Sequence, residues 1–492
     1  MPNLGATGIP SDESLAFDDP GDSRASGVNA RNGEYLAPAL AAAALSAIAE
    51  GRELTAAEAL EVKRRQQAGA KTLGVAAGID ENDLAQAGWG IVFAADEPRT
   101  DELLAALEPL RTLRAEQAGP LFKVFRDDAG LKREEAGWEF LARHGAGPGP
   151  VDPKLGVPFY LLFVGDAARL PFDQQCEIDV RHAVGRLDLE SPDDLAAYAK
   201  RLATAEEQPA AARSSRAVFW GTRNAGDLAT QRSARHLIAP LAREFAQDWP
   251  DWQVDGLVAA AATKSALRDA LHAELPPSLL MTASHGAGYP SGDADQRDWQ
   301  GALVSQEWGG PLVAGELARD MLFGADDIKT ARLDGLIAFL FACYGAGTPE
   351  VDHFLPEAVT GVSRIAPTPF TARLAQRMLA RGAAAVVGHV ERAWTHSFLW
   401  PLAGAQRTVF TALLTSLVGG ARLGVAMEYF NNRYAELAAY LDTERKRPKG
   451  MVGRDEKMAF LWTASTDARN YVVLGDPAAR LAVGSQPQAR ES

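Results

Sequence analysis

Leu336–Pro349 reads LIAFLFACYGAGTP, and its reading decides the fold. Apolar and small residues run unbroken from Leu336 to Ala342 and meet a thiol at Cys343. Tyr344, Gly345, Ala346 and Gly347 then turn the chain. A continuous apolar run bounded by turn residues suits a strand buried on both faces of a parallel sheet. The turn leaves Cys343 at the carboxyl edge of that sheet, where open α/β folds bind their ligands. A second run, Leu279–Gly286, reads LLMTASHG and delivers His285 in the same way. The stretch between His285 and Cys343 is long enough for one crossover between neighbouring strands. Thiol catalysis needs a cysteine and an imidazole that can exchange protons with it. Two such strands side by side would supply both, and the N–H groups of Gly286 and Cys343 could form an oxyanion hole.

Outward from this pair, apolar strand patterns alternate with helical ones. Strands are expected at 90–95, 121–126, 160–165, 183–189, 217–221, 254–259, 384–388 and 471–474. Helices are expected at 100–117, 133–143, 228–247, 264–273 and 371–381, with 408–442 mostly helical. Such alternation predicts an α/β, doubly wound, mostly parallel sheet with helices on both faces. The expected organisation is a loose N-terminal arm (1–32), a helical N-terminal region (33–85), an N-terminal α/β subdomain (86–205), a catalytic subdomain (206–485) and a short tail (486–492). Residues 206–216, polar and alanine-rich, suit a linker between the subdomains.

The order of the motifs adds a resemblance. Strand-SHG followed by strand-ACYG resembles the caspase-like (clan CD) cysteine peptidases, in particular their gingipain-type and CHAT-type branches. Tyr160–Asp166 (YLLFVGD), Ile178–Leu187 (IDVRHAVGRL), Ala383–Trp394 (AAAVVGHVERAW) and Asn470–Leu481 (NYVVLGDPAARL) resemble further gingipain segments in the same order. Together the motifs span roughly residues 89 to 482. The resemblance implies a caspase-like fold and a cysteine endopeptidase in which Cys343 is the nucleophile and His285 the proton carrier. It implies a pocket for a basic P1 side chain with Asp179 as its acid, Asp173 the alternative six residues earlier, and Trp394 as its wall. Asp166 is a further candidate, as an acid that orients His285, although a loop cap explains it equally well. By analogy with some CHAT-type peptidases, a regulated role in bacterial defence or cell death is a further expectation. A catalytically silent scaffold with the same fold stays open, as does a different thiol hydrolase. Retention of both His285 and Cys343 weighs against the scaffold.

Composition narrows the classes. The chain of 492 residues carries 50 basic and 64 acidic residues, a net charge of −14. That sign disfavours nucleic acid and anionic membrane as partners. The expected partner is a protein or peptide substrate, with a regulatory partner conceivable through the N-terminal region. Two cysteines, Cys176 and Cys343, are too few for a disulfide framework. No basic n-region, apolar leader or membrane-spanning run is visible, so the expected location is cytoplasmic. No Cys/His cluster has metal-ligand spacing, so neither a metal nor another cofactor is expected.

Overall fold

The computed structural model describes residues 6–10, 27–35, 49, 74–207, 214–313, 315–354, 364–400 and 403–481. Eleven strands form one sheet. In chain order they are β1 (Ala6–Thr7), β2 (Trp89–Val92), β3 (Phe122–Phe125), β4 (Tyr160–Val164), β5 (Ala183–Leu187), β6 (Arg216–Gly221), β7 (Gln253–Val258), β8 (Leu279–Ala283), β9 (Ile337–Phe341), β10 (Ala385–His389) and β11 (Tyr471–Gly475). Their order across the sheet is β1-β7-β6-β8-β9-β10-β11-β5-β4-β2-β3. β1, β7, β6, β8, β9 and β10 run parallel to one another, as do β5, β4, β2 and β3. β11 lies between the two sets and pairs antiparallel with β10. Helices cover both faces. Those that bear on the site are α1 (Phe172–Asp179), α2 (Leu228–Ser233), α3 (Leu423–Arg445) and α4 (Arg454–Arg469).

The continuous apolar strands are the central ones. Every residue of β8, β9, β10 and β11 is buried. Strands covered on both faces lose the alternation of a half-exposed sheet, and that loss made them legible in the sequence. The doubly wound, mostly parallel sheet expected from the alternation is the one observed. β11, from the far end of the chain, is inserted between β10 and β5, so strands from both sides of residue 205 lie in a single sheet.

The arm expected to be loose contributes two short strands. β1 pairs with β7 at the sheet edge, and Gly27–Asn29 pairs with Gly286–Gly288. That pairing belongs to a separate four-stranded sheet, completed by Leu303–Val304 and Leu322–Phe323. It holds the segment after His285. Most of the helical region expected at 33–85, from residue 36 to 73 apart from Ala49, lies outside the described residues.

Candidate active site

β8 and β9 pair in register, Ala283 opposite Phe341. His285 and Cys343 each lie two residues beyond that pair, so the sheet presents them at the same carboxyl edge. The backbones meet closely there. A Cβ on Gly286 would lie 1.8 Å from the Cys343 carbonyl oxygen, so only glycine fits after His285. Tyr344, the residue after the thiol, adopts a left-handed φ of 58°. Strained turns of this kind cluster at functional sites. Its N–H donates to the Glu391 carbonyl (2.7 Å), and Ala346 N–H donates to the His389 carbonyl (2.9 Å). The turn carrying the thiol is thereby tied to the end of β10.

The imidazole of His285 is fully buried, and its Nε2 lies 2.8 Å from the Asp227 carboxylate. Asp227 is also fully buried. Burial opposes its ionisation, but the imidazole and hydrogen bonds from Thr230 and Tyr35 outweigh that, and its pKa falls to about 2. An ionised carboxylate can only accept, so Nε2 must carry the proton. Nδ1 is then the basic nitrogen, and it has no hydrogen-bond partner among the described residues. The ring packs edge-on against Tyr35 (5.6 Å between centroids) and Trp308 (5.4 Å). Asp227 caps α2 through Thr230 N–H. Sequence reasoning missed this residue. The one available signal was a helix-capping Asp-Leu step after an apolar strand, which many helices share. Asp166, the acid that the sequence suggested for orienting His285, instead accepts from Ala168 and Arg169 N–H as a loop cap.

The Cys343 thiol is held away from solvent. Its Sγ accepts from Ala393 N–H at 3.2 Å, the residue is fully buried, and burial pushes the thiol up to about 12. No hydrogen bond joins it to His285 among the described residues. The Ala393 segment is itself fixed from below. Asp467, buried on α4, accepts from Trp394 N–H (2.8 Å), from Ser397 and from His389 Nε2 (3.2 Å). Arg392 bridges Asp352 (2.7 and 2.9 Å) and Glu391 (2.9 Å), tying the loop after Cys343 to the loop that caps the thiol.

The two acids considered for the specificity pocket lie at opposite ends of α1. Asp179, in the last turn, is buried; its carboxylate accepts from Val184 N–H (2.8 Å) at the start of β5. Burial raises it to about 7. It does not line the cavity that Asp173 borders, where the expected role as pocket acid would place it. Asp173, in the first turn, borders a cavity of about 180 Å³ together with Cys176, Glu350, His353 and Glu391. It pairs there with Arg469 (2.9 Å). Trp394 is buried against Phe354 (4.7 Å between ring centroids) and does not line this cavity.

No protein-family model and no curated protein sequence matches the chain. Among solved structures, the chain is similar to the complex of the Porphyromonas gingivalis RgpB pro- and mature domains, at 13% identity and a TM-score of 0.43, over 80% of this chain and 79% of that one. It is similar to the Arg-specific cysteine proteinase gingipain R at 13% identity and a TM-score of 0.43, over 80% and 78%. Separase in the Saccharomyces cerevisiae separase–securin complex gives 11% identity and a TM-score of 0.32, over 65% of this chain and 15% of that one. Among the described residues, no group of three or more His, Cys, Asp or Glu could hold a metal ion, and no helix is long and apolar enough to cross a membrane.

The buried acids and bases set a pH dependence of stability. Burial raises Asp179 and Glu391 to about 7, Asp188 to about 6 and Glu428 to about 8, and lowers His182 to about 3 and His396 to about 4. A carboxyl raised in the folded state stabilises fully below its unfolded pKa and loses that contribution as pH rises through its folded one. The lowered histidines oppose this chiefly below about 6.5, where the unfolded chain takes up their protons. Above pH 6.5 the carboxyls, at roughly 1.4 kcal/mol per group per pH unit while each titrates, outweigh the histidine contribution, which fades out by about pH 7.5. Tm should therefore fall between pH 6.5 and pH 8. A Tm by scanning calorimetry that holds level or climbs over that interval refutes the assignment.

Proposed function

We propose that the chain is a cysteine endopeptidase of the caspase-like type. One observation carries the reading: a buried, ionised Asp227 fixes His285 with Nδ1 free, one strand away from Cys343. In the reaction Cys343 gives its proton to His285 Nδ1, and Sγ attacks the scissile carbonyl. The oxyanion takes N–H groups of Gly286 and Cys343, and the imidazolium returns the proton to the leaving amine. Water then hydrolyses the thioester with His285 as base. The reaction requires the Cys343 side chain to leave the Ala393 amide, so the resting state opens before or during substrate binding. A fluorogenic peptide panel varying P1, run on wild type and on Cys343→Ala, tests the reading. Hydrolysis that persists in the variant removes it.

The cavity beside Asp173 is the proposed P1 site. Its volume suits one side chain rather than a larger ligand; Asp173, Glu350 and Glu391 line it together with Arg133 and His353, Glu350 pairing with Arg364 and Glu391 with Arg392. An arginine or lysine substrate would compete with Arg469 for Asp173, which limits the gain. Asp173→Asn is expected to lower kcat/KM for arginine substrates by about tenfold, the equivalent of ~1.4 kcal/mol. Asp179→Asn is expected to leave P1 preference unchanged, because that carboxyl is spent on Val184 N–H. Preference lost in Asp179→Asn and kept in Asp173→Asn would reverse the placement. Any role in defence or cell death rests on the sequence resemblance alone.

A further inference from the structure

The arm at residues 27–35 reaches the centre of the site. Gly27, Val28 and Asn29 pair with Gly286, Ala287 and Gly288, a ladder that starts at the residue after His285. Val28 and Ala30 are fully buried. Ala30 N–H donates to the Gly288 carbonyl (2.7 Å), and Leu317 N–H donates to the Ala30 carbonyl (2.7 Å). Arg31 then binds Asp293 through two nitrogens (2.9 and 2.7 Å), with Asp295 and Glu316 beside it. A turn closed by Asn29 N–H to the Glu34 carbonyl (2.7 Å) brings Tyr35 back over the site. There the Tyr35 hydroxyl donates to Asp227, and the ring lies edge-on to the His285 imidazole.

We propose that this arm is an intramolecular activating clip, with Tyr35 as a positioning residue for the Asp227–His285 pair. It rests on the peptidase reading of that pair. Tyr35 engages Asp227, on the Nε2 side of the imidazole, while the basic Nδ1 faces the other way. The contact fills one of the acceptor positions of Asp227 and pins the carboxylate for Nε2–H. Arg31 is the anchor: three acids on the 293–316 segment hold it, so undocking the arm releases both the ladder at Gly286 and the tyrosine. Displacement of the arm therefore lowers activity, the opposite sign to a segment that covers a cleft.

The test uses the full chain as wild type, Tyr35→Phe and Arg31→Ala. Tyr35→Phe keeps the ring and removes the hydroxyl. Its kcat should fall by roughly 3- to 10-fold, within the range of one lost hydrogen bond, while KM stays within about twofold. Arg31→Ala should lower kcat further and speed amide hydrogen exchange across 286–289 and 303–305. An unchanged kcat in Tyr35→Phe, or unchanged exchange in Arg31→Ala, overturns the proposal. A wild type that cleaves no peptide sinks the peptidase reading instead. The clip is then judged by exchange and by the imidazole nitrogen spectrum of His285. The Nε2–H signal should move in Tyr35→Phe, and a signal that stays in place overturns it.

Discussion

Cys343→Ala and His285→Ala should each lower peptide hydrolysis by a factor on the order of 10⁴ to 10⁶, as expected when nucleophile and base act as one unit. The two losses should not add in the double variant, since either change alone removes the attack. Alanine at 343 deletes one sulfur from a fully buried site and leaves the β9 pairing untouched, so the fold should persist. Alanine at 285 is harsher. It leaves the buried Asp227 carboxylate short of a donor, a cost of about 1–3 kcal/mol. Circular dichroism on both variants separates loss of chemistry from loss of fold. Hydrolysis by folded Cys343→Ala within tenfold of wild type would place the nucleophile elsewhere.

Asp227→Asn is the second large effect. One carboxylate oxygen, Oδ2, both faces His285 Nε2 and caps Thr230 N–H, so an amide nitrogen placed there also gives up the cap on α2, a cost of about 1 kcal/mol. The amide can present an N–H to Nε2 where the carboxylate only accepted. The imidazole then moves its proton to Nδ1 and has no base facing the thiol. In a serine-protease triad the same exchange, made at the aspartate behind the histidine, costs about 10⁴ in kcat. Here a loss of roughly 10² to 10⁴ is expected, with KM little changed. Activity in Asp227→Asn within threefold of wild type would mean that His285 is oriented by something other than this carboxylate.

The parts of the site legible in the sequence are those written into strands. β8 and β9 announce themselves as apolar runs, and the residues after them fall at the same edge, so His285 and Cys343 could be read without coordinates. Asp227 could not. It belongs to a different loop, and its partner is chosen by the order of β6 and β8 in the sheet, which local sequence does not encode. The arm was missed for a related reason. Gly27–Asn29 has no alternation of its own and becomes a strand only because the backbone of Gly286–Gly288 offers a partner. Asp173 and Asp179 were separable in principle. A crossover helix begins at the carboxyl edge of one strand and returns to the amino edge of the next. An acid in the first turn of α1 therefore lies near the carboxyl edge, and one in the last turn lies by the start of β5.

The shielded thiol makes the resting protein chemically quiet. Burial pushes the Cys343 thiol well up, so it is held as the thiol, not the thiolate, near neutral pH. Peroxide and alkylating electrophiles act on thiolates they can reach, and here they find neither charge nor access. Oxidative stress that modifies exposed thiolates would leave this thiol intact. Covalent labelling of the resting chain would pass over it, and electrophile capture at Cys343 would instead report the moment at which the Ala393 segment lets go.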